Sequence, residues 1–390
     1  MALEGGFLGG SAGGSAGGSA GGSAGGSAGG SASSAISDGF ATPLFAEALI
    51  RNRGAIIDLG ETRPQWTLPA RQNVDDHSHM YRWDPWVRSY LVTQELVQRL
   101  RFSVVAPSGK TPMSVSMDFL APTASRHDWM PGVTIVRPPT SVFEGQIAKV
   151  LAWSELREER MSEVLAQVEN QHCFWGSLVP IHTDRMRHTR ELLEAAVQFA
   201  IYAEMRFKHE LACWRPTDYS AQIQPMVTTP GHGSLPSGHC TQSYVICEVF
   251  KALLDTMRDD PARRSLNLQL GRIAARVSTN RVIAGVHFPV DNVAGRMLGA
   301  VLGEFFCYVS GGRSGKSVEP WHPGKFDGSL FPHDGDFDPR NQRFKTPPRF
   351  YKFDRLSAKQ KALLKVAPSI LTKLWDKAFE ECLLLEQPFR

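Results

Sequence analysis

Cysteine is scarce and unpatterned in this chain. The six thiols, Cys173, Cys213, Cys240, Cys247, Cys307 and Cys382, include no CxxC pair, which argues against a zinc ribbon or a disulfide-stapled scaffold and leaves most of them as small core hydrophobes. Long apolar runs are also lacking. The best candidate, residues 293–306, contains Arg296 and Glu304 and falls short of the roughly 20 residues that a helical membrane span needs, so no span is expected. The opening MALEGGFLGG has neither the basic stretch nor the apolar core of a secretory leader, and a cytoplasmic address is the expectation. Charge of one sign is missing too: the net charge is +4 over 390 residues, with no basic cluster interleaved with aromatics, so nucleic acid is not an expected partner.

Glycine, serine and alanine are abundant in one place. The unit GGSA repeats six times across residues 9–32, a composition too poor in large side chains to offset its ordering entropy. A flexible tether is expected over residues 1–39. Residues 40–183 read as an irregular, Pro- and Trp-rich half with helical patches at 93–102 and 162–171. Its His77-Ser-His79 spacing could hold a metal on a strand, but no carboxylate or cysteine partner stands at a suitable distance, and an exposed loop is the expectation.

From about residue 184 the pattern becomes helical. Leu192, Ala196, Phe199 and Ala203 recur at steps of four, three and four, the stripe of an amphipathic helix, predicted over 189–214 because Pro216 biases Arg215 away from helical dihedrals. Further helices are predicted from 237, over 267–283, and over 289–307 with Pro289 in the first turn. Gly295, Gly299 and Gly303, four apart on the last of these, predict close helix packing. Residues 184–312 thus form a helical core. A Pro/Gly-rich tail and a final helix over 358–384 complete 313–390, leaving room for subunit contacts in a homo-oligomer. Asp334, Asp336 and Asp338 imitate the start of a calcium loop, but Pro339 and Lys345 occupy the positions that need glycine and glutamate, so this segment reads as a plain loop.

Three groups carry candidate chemistry. Lys208 and Arg215 stand seven residues apart, nearly two helical turns, so both cations are expected on one face at a helix end. The corner PGHGSLPSGHC, residues 230–240, holds His232 and His239. Its Gly238 lets backbone approach a ligand closely, and the N–H groups at a helix start favour an anion. The third group is NRVIAGVHFPVD, with Arg281, His287 and Asp291; an aspartate in the first turn after Pro289 can reach back to the imidazole, fix its tautomer and raise the basicity of the other nitrogen. Three cations, a helix start, two histidines and an orienting carboxylate make an inventory for an oxyanion with a histidine at its apex.

The ordered set K-x6-R-P, P-S-G-H and R-x5-H-x3-D resembles the signature shared by type 2 phosphatidic acid phosphatases, bacterial acid phosphatases and vanadium-dependent haloperoxidases. One departure is Asn280, where that signature has serine before the last arginine. The resemblance implies an all-α helical bundle with the site between helices. It implies that Lys208, Arg215, Arg281, Ser237 and the Gly238 amide hold the equatorial oxygens, with His287 apical and His239 the acid/base.

Two reactions suit such a pocket. With phosphate, the resemblance implies attack by His287 on a phosphomonoester to give a phosphohistidine, His239 protonating the leaving alkoxide. With vanadate as cofactor, His287 is the protein ligand to the metal, and hydrogen peroxide and a halide are the substrates. Without a span or an export signal the chain departs from the lipid and the secreted phosphatases. His232, seven residues before His239, resembles the residue beside the halide site of bromoperoxidases, whereas Met205 stands where a halide-site tryptophan often lies. The expectation is a vanadium-dependent haloperoxidase oxidising bromide or iodide, the alternative a phosphatase with a histidine nucleophile.

Overall fold

The computed structural model describes residues 47–52, 83–121, 128–169, 171–254, 261–311, 319–340, 347–366 and 368–385. The GGSA repeats and the His77–His79 pair lie outside them. The longer helices are α1 (Pro85–Val97), α2 (Thr140–Ser154), α3 (Arg157–Glu169), α4 (Arg187–Leu211), α5 (Gly238–Leu253), α6 (Pro261–Ile283), α7 (Pro289–Val309) and α8 (Ile370–Leu385).

Helix α4 buries the apolar stripe read from its sequence: Leu192, Ala196, Phe199, Ala203, Phe207 and Leu211 have no exposed surface. Each large side chain so buried contributes about 1.5–3 kcal/mol, and that burial outweighs any intrinsic helical preference. At the start of α4, Glu381 of α8 accepts from the backbone N–H groups of His188 (3.0 Å) and Thr189 (2.8 Å). A carboxylate there fills the first-turn donors and meets the positive end of the helix dipole. Arg88 of α1 pairs with Glu191 through two hydrogen bonds of 2.7 and 2.6 Å. These two contacts fix α1 and α8 against α4.

Helices α5 and α7 make the most extensive helix pair. The glycine ladder explains it: a Cβ added at Gly295 would lie 2.8 Å from the Ser237 carbonyl oxygen, and one at Gly303 would lie 2.7 Å from Glu248 Cβ. Only hydrogen at these positions lets the backbones approach this closely.

The expected all-α bundle is corrected by a five-stranded mixed sheet. Strands β1 (Leu100–Val105), β2 (Ser114–Leu120) and β3 (Trp129–Val136) form an antiparallel meander; β4 (Gly324–Asp327) runs parallel to β3, and β5 (Tyr351–Phe353) is antiparallel to β4. Three of these strands lie in the half read as irregular, and β1 begins at Leu100, inside the helical patch expected over 93–102, because the helix before it ends at Val97. Strand β2 has the period-two pattern that drives a half-buried strand, with Val115, Met117 and Phe119 buried and their neighbours partly open. Phe119 stacks on Phe305 of α7 with ring centres 3.8 Å apart, and Trp321 packs edge-on against both. The sheet therefore lies against α7 and is continuous with the helical core.

Two helix boundaries also differ from expectation. Helix α4 ends at Leu211, with Ala212 left-handed at φ 46°, so Arg215 follows the helix in extended backbone. The predicted final helix is broken into a short turn, Ala358–Leu363, and α8; Pro368 cannot continue a helical ladder.

Candidate active site

The ends of four helices meet at one cavity of about 680 Å³. Its inner wall carries Glu204, Arg215, His232, Gly238, His239, Arg281 and His287, and towards solvent it is lined by apolar side chains that include Leu165, Val168, Met226 and Val227. Of the residues singled out in the sequence, Arg215, His232, Gly238, His239, Arg281 and His287 thus share a cavity. Lys208, Ser237 and Asp291 stand behind the wall.

Lys208 holds the corner in place. Its ammonium donates to the carbonyl oxygens of Pro236 (2.5 Å), Ser234 (3.1 Å) and Gly233 (3.2 Å). Gly233 permits this approach, since a Cβ there would sit 2.7 Å from the Lys208 carbonyl oxygen. Burial and then Arg215 push the lysine down to about 7; the three carbonyl acceptors favour the ammonium, the form with three donors. On the far side of the corner, the Ser237 N–H donates to the Asp291 carbonyl (3.0 Å), joining the start of α5 to the first turn of α7.

His287 is held as the backbone dictates. Asp291 Oδ2 accepts from the Phe288 N–H (2.8 Å), from Ser234 Oγ (2.5 Å) and from His287 Nδ1 (3.0 Å). With its proton on Nδ1, the imidazole presents the Nε2 lone pair, and Arg215 Nη1 donates to it at 3.1 Å. Burial, then the positive charges of Arg215 and Lys208, hold His287 well below its ordinary pKa. It is neutral and nucleophilic at Nε2.

Arg215 reaches the cavity from extended backbone. Its remaining bonds go to the His232 carbonyl (3.1 Å), the Val286 carbonyl (2.7 Å) and His232 Nδ1 (3.1 Å). His232 Nδ1 lies 3.1 Å from Arg215 Nη2, which only donates, and 3.2 Å from the Gly233 carbonyl oxygen, which only accepts; the shorter, charge-assisted contact favours a lone pair on Nδ1 and the proton on Nε2. Burial, Lys208 and Arg215 lower His232 to about 3, so it is a neutral N–H donor at the wall.

His239 is fixed from a direction the sequence did not reveal. Its Nε2 lies 2.9 Å from the Gln167 carbonyl oxygen on α3. A carbonyl accepts, so the proton is on Nε2 and Nδ1 carries a lone pair. Burial and Arg281 keep His239 well below its usual pKa.

The same helix holds Arg281. Arg281 donates to the Val164 carbonyl (3.0 Å) and Gln167 Oε1 (3.3 Å), and Asn280 donates to Gln167 Oε1 (2.9 Å) and Glu163 Oε1 (3.0 Å). Asn280 therefore braces α6 against α3. Burial lowers Arg281 and Arg215 to about 10, and both remain cations at neutral pH.

Glu163, Gln167, Glu204 and Gln242 were missed in the sequence. Only Glu204 left a signal: it sits one turn before Lys208 on a helix face otherwise given to Ala196 and Ala200. Met205, its neighbour, is partly buried and is not among the lining residues.

Among the described residues, four buried donors at or near this wall have no protein partner: Ser237 Oγ, Arg281 Nε, His232 Nε2 and Thr229 Oγ1. Unpaired buried donors are costly, and with two guanidinium groups and a helix start they fit an anion bearing several oxygens.

Residues 192–314 match the PAP2 superfamily, whose members include phosphatases and haloperoxidases. The matched segment contains every wall residue of the site except those on α3. Among solved structures the chain is similar to the first transmembrane PAP2 type phosphatidylglycerolphosphate phosphatase from Bacillus subtilis, at 21% identity over 42% of this chain and 84% of that one, with a TM-score of 0.34. No curated protein matches the chain. Among the described residues no helix is long and apolar enough to cross a membrane.

Proposed function

We propose that the cavity binds a tetrahedral oxyanion and that the protein is a vanadium-dependent haloperoxidase, oxidising bromide or iodide with hydrogen peroxide. The observation that carries this choice is the hydrogen bond from His239 Nε2 to the Gln167 carbonyl. It keeps a proton on Nε2, and burial with Arg281 keeps the ring neutral, so Nδ1 is the base able to take a proton from hydrogen peroxide. A phosphatase needs the opposite state there, an imidazolium that protonates the leaving alkoxide.

In this reading His287 Nε2, Arg215, Arg281, Ser237 Oγ and the Gly238 amide would hold vanadate, with Lys208 supplying charge from behind the corner. When bound, vanadate supplies a Lewis acid that activates peroxide without a change of oxidation state. Asp291 keeps the His287 proton on Nδ1 and so keeps Nε2 basic. Two guanidinium groups neutralise anionic charge in a water-poor site, where each is worth more than in solution. His232 offers an uncharged N–H donor for a halide at the wall.

The Asp291–His287 pair also suits a phosphohistidine mechanism, because Nε2 is a neutral nucleophile with its partner proton held. A phosphomonoesterase is the second reading on that ground.

Purified apoprotein titrated with orthovanadate separates the two. Bromide or iodide oxidation that appears only with vanadate is the expected result. Cleavage of a chromogenic phosphomonoester that vanadate merely inhibits would replace the first reading by the second.

A further inference from the structure

One acidic side chain stands where an oxyanion site should repel it. Glu204 is fully buried, lines the cavity with Arg215, His239, Arg281 and His287, and forms no ion pair with Lys208, whose three donors are engaged by the corner carbonyls. Its position is close to the start of α5: a Cβ at Gly238 would lie 2.7 Å from Glu204 Oε1. Glycine at that position is therefore required by the carboxyl as well as by any ligand.

A chain of side-chain amides decides which oxygen can carry a proton. Gln171 donates from Nε2 to Gln242 Oε1 (3.1 Å), which turns the Gln242 amide so that its own Nε2 donates to Glu204 Oε1 (3.0 Å). Oε1 is thus committed as an acceptor. Oε2 is buried and has no partner among the described residues, so it is the oxygen left to bear a proton and to use it.

We infer that Glu204 carries a proton on Oε2 when the cavity holds a tetrahedral oxyanion and donates it to a ligand oxygen, so that anion binding takes up one proton from solvent. The inference rests on the oxyanion reading of the cavity but is separate from the choice between peroxidase and phosphatase. The balance is simple: carboxylate, proton and anion give a carboxylic acid hydrogen-bonded to the anion, and no other bond changes. Burial alone already favours the acid form, raising Glu204 to about 7 against the pull of Lys208, Gln242 and Arg215, and an approaching dianion favours it further. The groups around the cavity are Lys208 on α4, Arg215 after it, His232 on the corner, His239 and Gln242 on α5, Arg281 on α6, and His287 and Asp291 on α7. Of these, the neutral imidazole of His239 and, where it has lost its proton above about pH 7, Lys208 are the competing proton acceptors.

Sulfate is the suitable probe because it is tetrahedral, dianionic and does not titrate between pH 5 and 9. Calorimetry of sulfate binding to the full chain at pH 8, in buffers of different ionisation enthalpy, should show uptake of about one proton, with affinity weakening about tenfold for each pH unit above about 7. Glu204→Gln keeps the acceptor for Gln242 and should bind sulfate with no uptake and little pH dependence, overtaking the wild type above pH 8. Uptake that persists in Glu204→Gln would assign the proton to His239 or Lys208 and overturn the inference. So would wild-type binding without uptake, which would make Glu204 a fixed counter-charge. If neither sulfate nor orthovanadate binds at any pH, the oxyanion reading itself falls, a result distinct from either.

Discussion

The carbonyl oxygen of Gln167 lies 2.9 Å from His239 Nε2, and this contact sets which nitrogen carries the proton of a neutral imidazole 72 residues further along the chain. As a base, His239 works only while neutral. Burial and Arg281 hold its pKa well below 6.5, so halide oxidation by the vanadate-saturated protein should stay level from pH 8 to 6.5 and fall only at more acid pH. Steady-state kcat/KM against pH checks this, and a rate that climbs as pH falls through 6.5 would point to His239 acting as an acid. His239→Ala should lower kcat by about 10²–10⁴ while changing vanadate affinity far less.

Helix α3 contributes no residue to the signature read from the sequence, yet Gln167 supplies two acceptors to it. Its carbonyl serves His239, and its side-chain oxygen receives Asn280 and Arg281. Gln167→Leu leaves the first contact and removes the second, freeing Arg281 to move. Orthovanadate affinity should drop about 10- to 100-fold, whereas the pH profile set by His239 should keep its shape. A shifted profile with unchanged affinity would show that the side chain acts through His239 instead.

The signature residues were legible because each lies at or near a helix end whose position local chemistry fixes: Pro289 starts α7, Ser237-Gly238 starts α5, and spacing then puts His287 and Asp291 in reach. What lies across from them was not legible. Gln167 and Gln242 are polar residues on helices, and nothing local distinguishes a polar side chain that faces a cavity from one that faces water; Glu204 alone left a trace, as an acid on the apolar face one turn before Lys208. The same limit explains the sheet. Strand β2 carried a period-two pattern, but β4 and β5 are only four and three residues long, and the parallel pairing of Val133–Val136 with Gly324–Asp327 joins segments that no local pattern connects. Helix α4 was legible in its stripe and not in its end, where Ala212 turns left-handed and the corner backbone packs against the last turn through Gly233.

The glycine ladder of α7 offers a test that separates stability from site geometry. An added Cβ at Gly299 meets the Thr241 carbonyl oxygen, and one at Gly295 meets the Ser237 carbonyl oxygen at 2.8 Å. Both alanine variants should lose about 1–3 kcal/mol from overpacking, seen as a lower urea midpoint. Only Gly295→Ala presses on the corner that presents Ser237 and Gly238, so only it should also weaken vanadate binding. Equal affinity losses in the two variants would indicate a global effect.

His232 touches the site through Arg215. Phenylalanine there removes both the Nε2–H donor and the acceptor for Arg215 Nη2, but Arg215 keeps the carbonyls of His232 and Val286. His232→Phe should therefore alter the ratio of bromide to iodide oxidation while changing vanadate affinity less than about tenfold, the scale of an ordinary hydrogen bond, since Arg215 stays anchored by two carbonyls. An unchanged halide ratio would leave His232 as a support for Arg215 alone.

Asp291 concentrates three donors on one oxygen, Oδ2, and leaves Oδ1 without a partner. Burial outweighs those donors and raises its pKa from 3.8 to about 6. A raised carboxyl pKa means that the folded state binds the proton more tightly than the unfolded one, so the stability it confers is full below pH 3.8 and is lost as pH rises through about 6. Asp291→Asn has no proton to lose. The stability difference between variant and wild type should shift in the variant's favour between pH 4 and 7, by up to about 3 kcal/mol at 1.36 kcal/mol per pKa unit, as urea unfolding at the two pH values would measure. A shift in the opposite direction would mean that the three donors outweigh burial and that Asp291 is held as a carboxylate by its partners. In either case the loss of negative charge beside His287 Nδ1 should cost about 10- to 100-fold in orthovanadate affinity, because Nε2 becomes less basic while Ser234 and the Phe288 amide keep an oxygen to bond.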